Sequence, residues 1–140
     1  TQSRSSAASD VYKRQQYIYV MDTFDFYNYA ARHGKQYDTI VIDPPSFARN
    51  KKKTFSVQKN YDDLINGALD VLAPDGTLLL CTNSSAFSLK AFKNVIKKTL
   101  EQANVEYEIE EVMGLPKDFK THPHYKPSKY LKAVFINIKH

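Results

Sequence analysis

The sequence has no tryptophan, a single cysteine, two methionines and four glycines in 140 residues. One cysteine, Cys81, excludes an internal disulfide, and no ligand cluster surrounds it, so no metal is expected. A lone thiol fits a reducing interior. No apolar run approaches the roughly 18 to 20 residues that cross a bilayer as a helix. The start carries no apolar stretch of the signal-peptide kind. The expectation is a cytoplasmic protein with no membrane partner. Glycine is scarce in a telling way: Gly34, Gly67, Gly76 and Gly114 are all there are, and none lies in a glycine-rich turn after a strand.

What is present can fold. Apolar residues make up 42% of the chain, with ten tyrosines and eight phenylalanines, which supports a core and argues against wholesale disorder. The length suits one domain. The net charge of +5 leans towards an anionic partner such as nucleic acid. Part of that excess sits in residues 1–15, TQSRSSAASDVYKRQ, where Arg4, Lys13 and Arg14 outweigh Asp10. This leader is rich in serine and alanine and has no apolar period. It reads as a disordered tail, and the stretch SSAASDVYKRQ resembles a scar of cloning or read assembly, so fold reasoning starts at residue 16.

From there, strands and helices alternate. Residues 17–21, YIYVM, form a short β-rich run ending at Asp22. Residues 24–33 suit a helix, with Gly34 placed to cap it. Residues 39–42 are a second apolar strand, stopped by Pro44 and Pro45. Residues 46–59 read as a polar, basic loop. Leu64, Ile65, Ala68, Leu69 and Leu72 share one face of a helix over residues 61–73. Pro74-Asp75-Gly76 is a turn, and residues 77–82 a third strand. Leu89, Phe92, Val95, Ile96 and Leu100 mark another amphipathic helix. Val105, Tyr107 and Ile109 alternate with glutamates, and residues 131–138 close the chain as a strand. The predicted fold is α/β: a mostly parallel, Rossmann-like sheet covered on both faces, with an antiparallel strand at one edge. Ligands bind such sheets at the carboxyl ends of the strands, and Asp22, Asp43 and Asn83 each follow one.

The strongest chemical signal is IVIDPPSFAR, residues 40–49. Two prolines after an acidic residue at the end of a buried strand fix φ and leave carbonyls outside the ladder. A rigid ledge results, with Asp43 behind it and Phe47 at its lip. Such a ledge can grip a planar base by hydrogen bonding and stacking.

Asp43-Pro44-Pro45-Ser46-Phe47-Ala48-Arg49, with Tyr61, Pro74-Asp75-Gly76 and Tyr130-Leu131-Lys132, resembles the class I S-adenosylmethionine-dependent methyltransferases of large-subunit ribosomal RNA. In that family an Asp-Pro-Pro-(Lys/Ser/Thr)-Phe motif ends the fourth strand. The likeness runs from about Tyr17 to Ile138. It implies S-adenosyl-L-methionine as cofactor and ribosomal RNA as partner. It also implies that Asp22, Thr23 and Phe24 sit in the loop holding the adenine, with Asp43 nearby. From the residues themselves, Asp22 is equally a helix cap. The family opens with a glycine-rich turn and a ribose-binding acid that are not found here. Residues 16–140 are therefore expected to be a partial methyltransferase domain lacking its first strands, and inactive alone.

The resemblance also bears on the methylated atom. Relatives that methylate carbon 5 of cytosine carry a nucleophilic cysteine in a Ser-Cys-Ser loop after the fifth strand, because that carbon must first be activated by thiolate addition. Here the stretch is Thr82-Asn83-Ser84, and Cys81 falls inside the strand, where a core thiol is the plain reading. A branch that methylates a guanine ring nitrogen carries Ser-Asn-Asn, closer to Thr82-Asn83. A purine nitrogen target is thus expected, with Asp43, Pro44 and Asn83 as catalytic candidates. Alternatives are a cytosine-C5 enzyme using Cys81 and a non-catalytic RNA-binding module.

Pro45, Phe47, Arg49, Lys51, Lys52 and Lys53 are candidates for RNA contact beside the ledge. Residues 117–130 form a second basic, aromatic loop, from which His122 and Lys129 are further candidates. His122 and His124 straddle a proline at a spacing poor for metal.

Overall fold

The computed structural model describes residues 17–51, 53–120, 122–124 and 130–139. The leader, Lys52 and Lys129 lie outside the described residues. Helix α1, Thr23–Arg32, begins where Asp22 caps it: the carboxylate accepts from the backbone N–H of Phe24 at 2.9 Å and of Asp25 at 3.4 Å, satisfying donors the first turn leaves unpaired. It ends at Gly34, whose φ of 61° is the left-handed C-cap conformation open to glycine. Strand β1, Tyr37–Ile42, follows and stops at the prolines.

Residues read as a loop are partly ordered. β2, Phe47–Arg49, and β3, Thr54–Ser56, pair as a short antiparallel ribbon. Helix α2 then starts earlier than its apolar face announced, at Val57–Val71. β4, Leu72–Thr82, absorbs the expected turn. Tyr37 faces Leu72 while Thr39 faces Thr77, so residues 73–76 bulge out of the ladder, with Asp75 at φ 57°. α3, Leu89–Gln102, is capped by the Ser88 hydroxyl, which accepts from Ala91 N–H at 3.1 Å. β5, Glu106–Met113, and β6, Lys132–Lys139, complete the chain.

The main sheet has the order β1-β4-β6-β5. β1 and β4 are parallel, and β6 runs against both β4 and β5. Three of the four strands therefore point one way, and the antiparallel pair lies at one edge with β5 outermost.

Leu78, Leu80, Val134, Ile136 and Ile138 alternate to one face and form the core with Ile65 and Ala68 of α2 and Phe92, Ile96 and Leu100 of α3. α1 packs on α2 through Tyr27, whose ring occupies the space a Cβ on Gly67 would need.

Two further expectations are corrected. Both faces were expected to be covered, yet the described helices pack on one face only. On the other, Val41 is 60% exposed and Leu79, Cys81 and Phe135 are half-buried. Residues 17–21 do not form a strand: only Tyr19 makes a bridge. Its ring instead packs on Phe26 and Tyr29 of α1, at 5.3 and 5.7 Å between centroids. No described helix is long and apolar enough to cross a membrane.

Candidate functional site

The carboxyl ends of β1, β4 and β5 and the start of β6 share one end of the sheet, because Ile42 pairs with Leu80, Thr82 with Lys132 and Met113 with Ala133. Asp43 and Asn83 follow β1 and β4 there, both exposed. They are joined through the motif: Ser46 Oγ donates to Asn83 Oδ1 at 3.3 Å. The proline ledge is thus tied to the neighbouring strand's loop, and its serine has a defined role.

Beneath this rim lies Tyr61, 1% exposed. Its hydroxyl donates to the carbonyl of Cys81 at 2.7 Å and approaches that of Ile42 at 3.3 Å, so one side chain braces the ends of β1 and β4. Burial, with the neighbouring Cys81 and Asp43, holds this phenol far above the ordinary tyrosine range. Lys132, 9% exposed, supports the other side. Its ammonium donates to the carbonyls of Ser84 and Tyr130, each at 2.9 Å. That anchors the Asn83 loop to the root of the segment running from Gly114 to Leu131. Burial pulls the Lys132 ammonium below the usual lysine range.

A cleft of about 280 Å³ opens between the end of β1, the start of α1 and the β2–β3 ribbon. Asp22, Phe24, Asp43, Pro44, Phe55 and Leu64 are among its walls. Asp22, Thr23, Phe24, Asp43, Pro44 and Pro45 all line this cleft. The Asp22 carboxylate that caps the helix thus belongs to a residue of the cleft wall. Its second oxygen accepts from Asn50 Nδ2 at 3.2 Å. Phe47 does not line the cleft. Alternation along β2 puts Ala48 towards it, paired with Phe55, while Phe47 is 61% exposed.

Arg49 and Lys53 lie along a smaller adjoining hollow with Asp22, Asn50, Asn60 and Asp63. The Lys53 ammonium stands 5.4 Å from the Phe24 ring centroid, within cation–π range. Lys51 is exposed. His122 is exposed, and its Nδ1 lies 3.3 Å from the His124 backbone nitrogen, a local turn contact. Among the described residues no three His, Cys, Asp or Glu groups gather as metal ligands would. Cys81 is half-buried in β4, and burial, reinforced by the charge of Asp43, raises its thiol above the ordinary range.

Tyr61 and Lys132 were visible only as parts of a motif, without a role. Asn50 stood in the basic run of residues 49–53 without a role of its own, since nothing local to residue 50 points to residue 22.

No protein-family model matches the chain. Whole proteins do. YwbD of Bacillus subtilis, a presumptive ribosomal RNA large subunit methyltransferase, is 43% identical over 122 residues, which is 87% of this chain and 31% of that protein. Ribosomal RNA large subunit methyltransferase I of Vibrio parahaemolyticus is 28% identical over 129 residues, 92% of this chain and 32% of that protein. Among solved structures, a presumptive methyltransferase complexed with SAH superposes with a TM-score of 0.77 at 40% identity, over 84% of this chain and 30% of the other. A presumptive SAM-dependent methyltransferase from Streptococcus mutans gives 0.72 at 36% identity, over 84% of this chain and 30% of that one. The chain spans about a third of the length of these relatives.

Proposed function

Since the chain belongs to the class I methyltransferase family that includes the large-subunit ribosomal RNA methyltransferases, we propose that it carries the base-side half of an enzyme of that kind. The reaction is methyl transfer from S-adenosylmethionine to a base of large-subunit ribosomal RNA, in the cytoplasm. In this reading residues 16–140 are a partial methyltransferase domain and residues 1–15 take no part in it.

The cleft fits one end of the cofactor. Its volume of about 280 Å³ lies at the lower bound of the roughly 300–1,000 Å³ typical of small-molecule sites. That suits an adenine ring between the apolar walls of Phe24, Pro44 and Phe55, not a whole nucleoside with its amino-acid arm. Asp22 keeps acceptor capacity on the oxygen that Asn50 touches and takes the adenine amino group. The backbone N–H groups of Phe24 and Asp25 are committed to Asp22, so donation to a ring nitrogen falls to Thr23. When bound, the cofactor supplies a methyl group activated on sulfonium.

The observation that carries the reading is the Ser46–Asn83 hydrogen bond. It ties the segment that carries Asp43, Pro44 and Pro45 to Asn83 after the neighbouring strand, and in this reading their polar groups meet the edge of a planar base. Asn83 holds that edge through its NH₂ group while its oxygen is engaged by Ser46. Asp43 orients the target and accepts the proton that a methylated ring nitrogen releases. A nitrogen lone pair needs orientation and alignment more than covalent activation, and a purine nitrogen is the target in this reading. The raised Cys81 thiol is the reverse of what nucleophilic attack on cytosine demands. Pro45, Arg49, Lys51, Lys53 and His122, with Lys52 and Lys129 outside the described residues, contact the RNA.

The test uses a longer protein that contains this chain, incubated with S-adenosylmethionine and large-subunit RNA, with nucleosides read by mass spectrometry. Cys81→Ser retains methylation, and Asn83→Ala loses at least tenfold. Loss of methylation in Cys81→Ser with cofactor affinity intact overturns the nitrogen reading.

A further inference from the structure

The tip of the β2–β3 ribbon is fastened to the start of α1. Asn50 closes the turn with its own backbone, donating N–H to Lys53 O at 3.0 Å and accepting from Lys53 N–H on its side-chain oxygen at 2.7 Å. The other half of the same amide reaches across to Asp22 Oδ2 at 3.2 Å. Lys53 adds a second attachment over the Phe24 ring. Asp22 and Phe24 line the cleft proposed for adenine. Arg49, Lys51 and Lys53 are the cations proposed for RNA phosphates. Five residues, 49–53, therefore carry both the RNA-facing charge and the group that orients the cofactor-facing carboxylate.

The two oxygens of Asp22 have separate duties. Oδ1 is held by the helix N-terminus, and Oδ2 accepts from Asn50, which lines the hollow beside the cleft. An exposed ribbon of three-residue strands has few contacts of its own to hold that alignment. Phosphate bound at the lysines restricts the tip and keeps the Asn50 amide on Asp22.

We propose that the β2–β3 ribbon couples RNA binding to cofactor binding, with Asn50 as the positioning residue that transmits it. The inference rests on the reading of Asp22 as the adenine-side acceptor. Coupling between two ligands is reciprocal, so RNA tightens S-adenosylmethionine by the same factor by which S-adenosylmethionine tightens RNA.

The experiment is calorimetric titration of S-adenosylmethionine into the longer protein, with and without a large-subunit RNA fragment. In the natural sequence, RNA lowers the cofactor Kd several-fold. Two variants separate positioning from folding. Asn50→Ala removes the side-chain bonds to Lys53 N–H and to Asp22 Oδ2. Asn50→Asp keeps the acceptor for Lys53 N–H, and so the turn, while setting a carboxylate against Asp22. Both bring the RNA effect to about onefold, and Asn50→Asp does so with the folded far-ultraviolet spectrum retained. A several-fold RNA effect that survives in both variants overturns the coupling while leaving the function intact. If the natural sequence does not bind S-adenosylmethionine at all, the functional reading fails and the coupling falls with it.

Discussion

Replacing Tyr61 by Phe isolates one hydroxyl. The ring stays, packed edge-on against Phe92 at 5.0 Å between centroids. The hydroxyl that goes donates at 2.7 Å to Cys81 O in a site 1% exposed. Losing a buried hydrogen bond and leaving its acceptor without that donor costs about 1–3 kcal/mol. A chain of this size loses roughly 3–5 °C in Tm per kcal/mol, so a central loss of about 2 kcal/mol is about 6–10 °C. Urea denaturation and thermal melting followed by far-ultraviolet circular dichroism measure it. The same change also acts at the rim, since Asp43 follows Ile42 and Asn83 stands two residues after Cys81. Tyr61→Phe in the longer protein lowers methylation beyond what its stability accounts for. A variant within about 0.3 kcal/mol of the natural chain, below the range expected for a buried hydrogen bond, refutes the bracing role.

Gly67→Ala improves helix propensity by roughly 1 kcal/mol in isolation, yet the new Cβ enters the space of the Tyr27 ring, so the expected result is net destabilisation and a lower Tm. Tyr27 itself is pushed up to about 12 by burial. The folded state therefore keeps a proton that the unfolded state releases near 10. Its stabilising contribution is complete below pH 10 and is lost as pH rises towards 12. Absorbance near 295 nm, which reports tyrosinate, should at pH 11 fall short of full ionisation and rise on adding urea, and full ionisation without urea would contradict the packing. For cofactor binding, this 140-residue chain alone offers the wall proposed for adenine and no glycine-rich turn. Each missing neutral hydrogen bond is worth about 0.5–1.5 kcal/mol, and about 1.4 kcal/mol is tenfold. Calorimetry should find affinity for S-adenosylmethionine weaker than micromolar, and a micromolar Kd would show that the cleft is not the adenine end alone.

Elements with local causes were legible in the sequence. Asp22 and Gly34 bracket α1 because a cap and a left-handed residue are needed within a few positions of each helix end. Pro44 and Pro45 end β1 because neither can donate to a ladder. The misreadings fall where a local pattern had two outcomes. Residues 17–21 have strand composition, but the Tyr19 ring is held by Phe26 and Tyr29, and β propensity measures fit to a packed surface more than an intrinsic backbone preference. Residues 46–59 are polar enough for a loop, yet Phe55 facing Ala48 gives the ribbon an apolar pair that composition hid. The expectation of two covered faces came from continuous apolar strands, and Val41 and Leu79 show that strand composition does not reveal which neighbours are present.

The site divides in the same way, and the division follows from distance along the chain. The ledge is chemically self-contained, so seven consecutive residues announced it. Its supports are not. Tyr61 reaches Cys81 across 20 positions, Asn50 reaches Asp22 across 28, and Lys132 reaches Ser84 across 48. Each is a polar group bonded to a backbone or carboxylate oxygen brought close only by the completed sheet. A tyrosine on an apolar helix face reads as core, and Tyr61 is indeed core by its ring. A lysine opening an apolar strand reads as a solvated end, while Lys132 in fact spends its charge on two carbonyls under the rim. Such residues can be found from sequence only after the topology is known, because the topology decides which oxygens are left to satisfy. The rim itself bears this out. Once β6 is placed between β4 and β5, Thr82 lies opposite Lys132, and the only question left for that lysine is which carbonyls it meets.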